Sequence, residues 1–391
     1  MSGGGGGAPG PGLPTSDGAG KAGPASAAAA EAAALGRIEA FRRRRPRLTD
    51  PVVTLAHGAG GKASEALLEA VFLPAFDPPA PAGSGTRTAP RTDAAVLELA
   101  SGERLAFTTD SFVVKPHRFP GGSIGHLAVH GTVNDLAVMG ARPLALSAAF
   151  VLEEGFPIET LQSLAADMAE AAAGAGVAIV TGDTKVVEHG AADGMYVCTS
   201  GLGTVPLGRD LSAGRVEAGD VVIVSGTLAE HGIAVMLARG DLMLEADIRS
   251  DTAPLNGLVE RLLEAAPSTR WLRDATRGGV ATICNELARD TNLTVVLDEA
   301  ALPVKPAVAG ACELLGIDPL YVANEGKMVA VVGPEEEAAA LSALRSHPLG
   351  GAATRIGEIR SEPPGLVVMR TQLGGTRIVD MLVGDPLPRI C

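Results

Sequence analysis

This chain of 391 residues is poor in aromatics, in cysteine and in positive charge. Phe, Trp and Tyr together make up 3% of it, too few for the stacking platforms that bind single-stranded nucleic acid. Basic residues number 32 against 45 acidic ones, a formal net charge of −13, which argues against a nucleic-acid partner. No run of about 18 uncharged apolar residues occurs, so no membrane-spanning helix is expected. The four cysteines, Cys198, Cys284, Cys312 and Cys391, lie far apart without a CxxC pair. That spacing disfavours a disulfide framework or a thiolate zinc site and suits the reducing cytoplasm. What is there is 46% hydrophobic and 20% charged, a globular composition, and the length suits two domains.

The first 35 residues hold 10 Gly, 11 Ala and 4 Pro, and an arginine cluster follows at Arg42–Arg45. Such a segment has too little to bury to offset its ordering entropy, so residues 1–46 read as a disordered tail. A signal peptide would put its charge before the apolar run, not after it. From Val52 onward strand-like and helix-like patterns alternate. The first module, residues 47–205, is expected to hold strands at Val52–Leu55, Arg104–Val114, Leu144–Leu152 and Tyr196–Thr204. A buried strand is expected at Val177–Thr181, helices at Ser64–Phe72, Ile124–Met139 and Ile158–Ala173, and a loop over 77–91. The second, residues 206–380, is expected to hold strands at Val221–Ser225, Leu293–Leu297 and Met328–Val332. Its helices are expected near 229–239, 255–265 and 277–289 and at Glu336–Arg345. Residues 381–391 carry two prolines and read as a free tail.

The Gly-rich turn His57-Gly58-Ala59-Gly60-Gly61-Lys62 lies between a strand pattern and a helix pattern, where exposed N–H groups favour a phosphate. It is not a P-loop, because Ala56 and Ala63 stand where that motif needs Gly and a hydroxyl. Carboxylates recur at the ends of β-rich runs: Asp110 after Thr108-Thr109, and Asp183 in Thr181-Gly182-Asp183-Thr184-Lys185. Asn134-Asp135 falls within a helix between them, and Asp274 leads Ala275-Thr276-Arg277-Gly278-Gly279 into a helix start. Each aspartate alone reads more readily as a cap or turn residue. Converging on one cleft, they would make the oxygen-rich site that magnesium needs when it carries nucleotide phosphates. His126 and His130 are four apart but lack the Glu of HExxH, and read as structural; His189 and His231 are assigned no role. The chain ends Pro388-Arg389-Ile390-Cys391, which is not a prenylation box. A thiol on a proline-stiffened tail reads either as an incidental surface group or as a swinging arm.

Together these segments, with Thr109-Asp110-Ser111-Phe112-Val113, Phe119-Pro120-Gly121-Gly122, Leu152-Glu153-Glu154-Gly155 and Ala323-Asn324-Glu325-Gly326-Lys327, resemble one family. It is the HypE family, the carbamoyl dehydratases of [NiFe]-hydrogenase maturation, within the PurM-like (aminoimidazole ribonucleotide synthetase) superfamily. The resemblance runs from about residue 52 to the end and is most specific at the terminal Pro-Arg-Ile-Cys. It implies an α+β, PurM-like two-domain fold, with an N-terminal domain forming a β-barrel in a homodimer, a C-terminal α/β domain and a flexible tail. A carbamoyltransferase, HypF, would load Cys391, and ATP with magnesium would drive dehydration of the thiocarbamate to a thiocyanate. The cyanide would then pass to iron on the HypC–HypD scaffold. Cys391, Lys185 and Glu325 are the implied catalytic residues, with Glu325 as the base. Gly58, Gly60, Gly61, Asn134, Asp135, Thr276, Arg277 and Gly278 are expected around ATP, and Asp110, Asp183 and Asp274 around magnesium. The alternative is another PurM-like ATP-dependent enzyme acting on a small carbonyl or on selenide. A selenide enzyme would need a reactive residue near the N-terminus, and this chain has no Cys before Cys198. A non-catalytic scaffold would not need the aspartate set.

Overall fold

The computed structural model describes residues 1, 3, 4, 48–76, 92–240, 246–384 and 389–391. The expectations for the N-terminal tail and the 77–91 loop fall almost wholly outside these residues. The chain divides into Met1–Arg47 and Leu48–Cys391, and the second unit carries everything below. Among its described residues, no helix is long and apolar enough to cross a membrane.

The first sheet has five strands: β1 (Ala95–Glu98), β2 (Arg104–Phe112), β3 (Arg142–Glu153), β4 (Ala178–Val187) and β5 (Met195–Val205). Their order is β1-β2-β5-β3-β4. All neighbours are antiparallel except β3 and β4, which run parallel across the helix Ile158–Ala175. That crossover helix ends because Gly176 takes φ +71°, a left-handed stop that Gly adopts without a Cβ penalty. Two segments depart from the sequence pattern. Val52–Leu55 forms no strand; a 3₁₀ turn covers Leu55–Gly58 and leads into α1 (Lys62–Leu67). The apolar run expected as a buried strand is β4, and nine of its ten residues are exposed. β4 is an edge strand, paired with β3 alone among the described residues, none of which pairs with its other edge.

One helix organises the molecule. α2 (Ile124–Val138) has thirteen of its fifteen residues buried and therefore no polar face, the mark of a helix enclosed on all sides. It packs on β2 and β5 of the first sheet and, on the other side, on the second domain. That domain holds a seven-stranded sheet: β6 (Val221–Val224), β7 (Trp271–Asp274), β8 (Thr294–Asp298), β9 (Met328–Val332), β10 (Thr354–Arg360), β11 (Val367–Arg370) and β12 (Thr376–Ile378). The order is β12-β11-β8-β10-β6-β9-β7, and β7, the strand bearing Asp274, was not legible as one. Helices α3 (Glu230–Arg239), α4 (Asn256–Ala265), α5 (Gly279–Thr291), α6 (Pro306–Leu315) and α7 (Glu337–Arg345) complete it. The end of the chain is not free: Ile390 is buried and Cys391 is packed against the core.

Candidate active site

A cavity of about 260 Å³ opens between α2, the end of β7, the start of α5 and the turn before β9. Its floor is carboxylate. Asp135 from α2, Asp274 from the end of β7 and Asp93, just before β1, each present an oxygen within 4.8 Å of the others. Asp110 on β2 lines the same cavity. Thr108 Oγ1 donates to Asp135 at 2.8 Å, and Ser111 N–H donates to Asp110 at 2.7 Å.

Burial raises all four of these carboxyls, against Arg273 at Asp93 and Asp274 and against Arg277 at Asp110; mutual repulsion adds at Asp93, Asp135 and Asp274. Asp274 reaches about 6. Arg273 answers part of the charge, 2.9 Å from Asp93 and 3.2 Å from Glu286. Asp93 Oδ2 is nonetheless buried with no hydrogen-bond partner. Hard oxygen donors that repel one another, one of them orphaned, are the donor set of a Mg²⁺-type cation. Asp93, Asp135 and Asp274 fit that ion, with Asp110 beside them.

Glu325 sits across the cavity, on a turn clamped from every side. Asn134 Nδ2 donates to the Glu325 carbonyl at 3.2 Å, while its Oδ1 accepts from Leu255 N–H at 2.7 Å. Asp251 accepts from the N–H groups of Glu325 and Gly326 at 3.2 and 3.3 Å and from Lys327 Nζ at 3.0 Å. Burial pushes the Asp251 carboxyl up, but Lys327 and those donors outweigh it and hold it below the usual range. Only glycine fits next to this clamp, because a Cβ at Gly326 would lie 2.0 Å from the Asp251 carbonyl oxygen. The Glu325 carboxyl itself is buried, its Oε1 has no partner, and burial followed by Asp110 and Asp274 raises its pKa well above normal. A positioned, raised carboxyl of this kind is suited to proton transfer near neutral pH.

Cys391 lines the same cavity, its backbone oxygen accepting from Val113 N–H at 3.0 Å. Arg277 lines it too: the charge on Cys391 foremost, then Asp110 and Glu325, keeps its guanidinium cationic despite burial. The structure thus brings Cys391, Glu325, Arg277, Thr276, Gly60, Asp110, Asp135 and Asp274 to one cavity.

Other expected residues serve differently. Asn134 is spent on holding Glu325 and on the Ala253 carbonyl, so it is not a nucleotide ligand in this arrangement. Gly58 presents its carbonyl to Arg277 at 3.1 Å, and Gly278 caps α5 rather than lining the cavity. Gly61 and Lys62 meet the chain itself: Lys62 N–H donates to Leu382 at 2.9 Å and its Nζ to Asp380 at 2.8 Å, where a phosphate was expected. Asp183 and Lys185 are absent from the cavity lining. They pair with each other at 2.6 Å on β4, with side chains 62% and 69% exposed, and Lys185 holds the Asp183 carboxyl below its usual range. Asp93, Asp251 and Arg273 were missed. Asp93 follows a low-complexity stretch and Asp251 lies in an unpatterned Ser-Asp-Thr segment, so neither carried a period or motif.

Residues 91–205 match the model for the AIR synthase related protein N-terminal domain, and residues 217–369 that for its C-terminal domain. The chain is 55% identical over 345 residues to carbamoyl dehydratase HypE of Rhodobacter capsulatus, covering 88% of this chain and 99% of that one. It is 48% identical to carbamoyl dehydratase HypE of Escherichia coli strain K12, covering 87% and 99%. Among solved structures it resembles a HypE–HypF complex with TM-score 0.74 and 47% identity, over 81% of this chain and 100% of that chain. It also resembles a HypE in complex with ATP, with TM-score 0.71 and 44% identity, over 87% and 100%. A ThiL bound to AMPPCP and TMP, 18% identical with TM-score 0.57 over 71% of this chain and 87% of that chain, shares the fold.

Proposed function

Because this chain belongs to the HypE family of carbamoyl dehydratases, we propose that it dehydrates a carbamoyl group carried on its own Cys391, at the expense of ATP. The observation that carries this reading is that Cys391 is seated in the cavity with Glu325, Arg277 and the aspartates. The carbamoyl oxygen is a poor leaving group until it is phosphorylated, so the γ-phosphoryl of ATP goes to that oxygen. Loss of phosphate with the carbamoyl oxygen, and of both N–H protons, then leaves Cys391–S–C≡N, ADP and phosphate. Glu325 accepts a proton from the nitrogen; its unpartnered oxygen and raised pKa supply the capacity. Arg277 answers the negative charge that grows on the transferred oxygen. Magnesium on Asp93, Asp135 and Asp274, with Asp110 adjacent, would neutralise the ATP phosphates when bound. Seating the tail inside a cavity also keeps bulk water from the phosphorylated carbamoyl group.

The same reading makes a HypF-type carbamoyltransferase the source of the carbamoyl group, since the solved complex pairs a HypE with HypF. A HypC–HypD iron scaffold would receive the cyanide, in the cytoplasm. A homodimer is supported by exposed apolar residues on the first sheet: Phe107 and Leu202, paired on one face, and Val180 and Val186 on the edge strand β4. Packing of a second copy there is the route by which Lys185 and Asp183 would meet a site. Intact-protein mass spectrometry with carbamoyl phosphate, ATP, magnesium and the transferase tests the reading. A carbamoyl mass that falls by one water, and never appears in Cys391→Ala, is expected. No adduct with a competent transferase would overturn it.

A further inference from the structure

The last three residues are held one carbonyl at a time. The Arg389 carbonyl accepts from Arg239, and the Arg389 guanidinium pairs with Asp193 at 2.7 Å. The Ile390 carbonyl accepts from His231 Nε2 at 2.7 Å while its side chain is 3% exposed. The Cys391 oxygen accepts from Val113 N–H. In the middle of this seat stands His231, fully buried on α3, which neither the sequence motifs nor the proposed chemistry uses.

His231 is fixed on both ring nitrogens and on one face. Nδ1 lies 2.8 Å from Ser250 Oγ, and the Phe119 ring meets the imidazole edge to face at 5.5 Å. A carbonyl can only accept, so the proton sits on Nε2 and points at Ile390, while Nδ1 accepts from the Ser250 hydroxyl. Ser250 Oγ in turn accepts from Thr252 N–H at 3.1 Å, which turns its own proton toward the ring. Burial, the foremost influence, favours the neutral ring that this arrangement needs.

We propose that His231 is a positioning residue for the C-terminal arm: its single N–H reads the Ile390 carbonyl and sets how deep Cys391 enters the cavity. The proposal rests on Cys391 being the reacting group, but its test needs no turnover. The probe is N-ethylmaleimide, applied to the full chain without ATP or transferase. Alkylation of Cys391 is followed by intact and peptide mass, with the half-buried Cys198 as an internal standard. His231→Leu removes the donor, and Cys391 alkylation is expected to rise about tenfold, the order for one hydrogen bond, with Cys198 unchanged. His231→Gln, whose amide can donate in its place, is expected to recover most of the protection. Should His231→Leu fail to fold, Ser250→Ala, which frees the ring orientation, is expected to raise the rate several-fold. An unaltered Cys391 rate in a folded His231→Leu, or in Ser250→Ala if that is the variant available, overturns the proposal. An equal rise at Cys198 does so too. Either failure leaves the dehydratase reading standing, since thiocyanate formation is measured separately.

Discussion

Asp274 and Asp183 stand in similar local sequence, each on a strand and each followed within three residues by a threonine and a cation. Their surroundings make them chemically different. Asp274 is buried among other acids and its pKa rises to about 6, whereas Asp183 is solvated, pairs with Lys185 and titrates below the usual range. Burial converts an ordinary charge into a demand for a cation; exposure leaves an ordinary surface pair. The most strongly perturbed carboxyls are therefore concentrated where desolvation is worst, at Glu325, Asp93 and Asp274. The β4 face has no such tension until something covers it.

The sharpest test of the contrast is at Glu325. Glu325→Gln keeps the shape and removes the base, so dehydration should slow roughly a thousandfold while carbamoylated Cys391 accumulates, as read by intact mass. Normal thiocyanate yield would take Glu325 out of the chemistry. Next in size is Asp251→Ala, which strands a buried Lys327 and two backbone donors. It should cost about 3 to 5 kcal/mol of stability, seen as a lower urea midpoint at unchanged slope.

The acid cluster predicts an unusual pH dependence. Its folded-state pKa values are raised, so the folded chain binds more protons than the unfolded one, and stability falls as pH rises from about 4 through the value near 6 at Asp274. For Asp274 the loss is on the order of 3 kcal/mol, and magnesium should restore it at pH 7.5. Melting curves with and without the ion, and with Asp274→Asn, measure it; a flat profile in the metal-free protein would contradict the cluster's desolvation. The smallest effect belongs to the other region. Lys185→Met should leave the urea midpoint unchanged, and a change in turnover at unaltered stability would place Lys185 at a site completed by a second copy. Val180→Asp, on the same exposed strand, should shift size-exclusion elution toward a monomer.

Much of the architecture could be read from periodicity, because long regular patterns leave few alternatives. The helix at Ile124–Val138 and the strands at Arg104–Phe112 and Met328–Val332 lie within a residue or two of their expected limits. β4 was misjudged as buried, since an apolar run does not say whether its neighbour lies in the same chain. The Gly-rich turn was read as a phosphate seat because the exposure of its N–H groups depends on a distant segment, Leu382, that occupies one of them.

By itself the sequence determined which residue types were on offer: a terminal thiol, a glutamate beside Gly326, and aspartates beside small, flexible neighbours. Local residue types and their order are properties of the chain. Only the tertiary structure decided which of those carboxylates meet. It substituted Asp93 and Asp135 for Asp183, made Asn134 a clamp, and joined His231 to a tail more than a hundred residues away. Electrostatic repulsion and burial depend on distances through space, and no spacing along the chain encodes them.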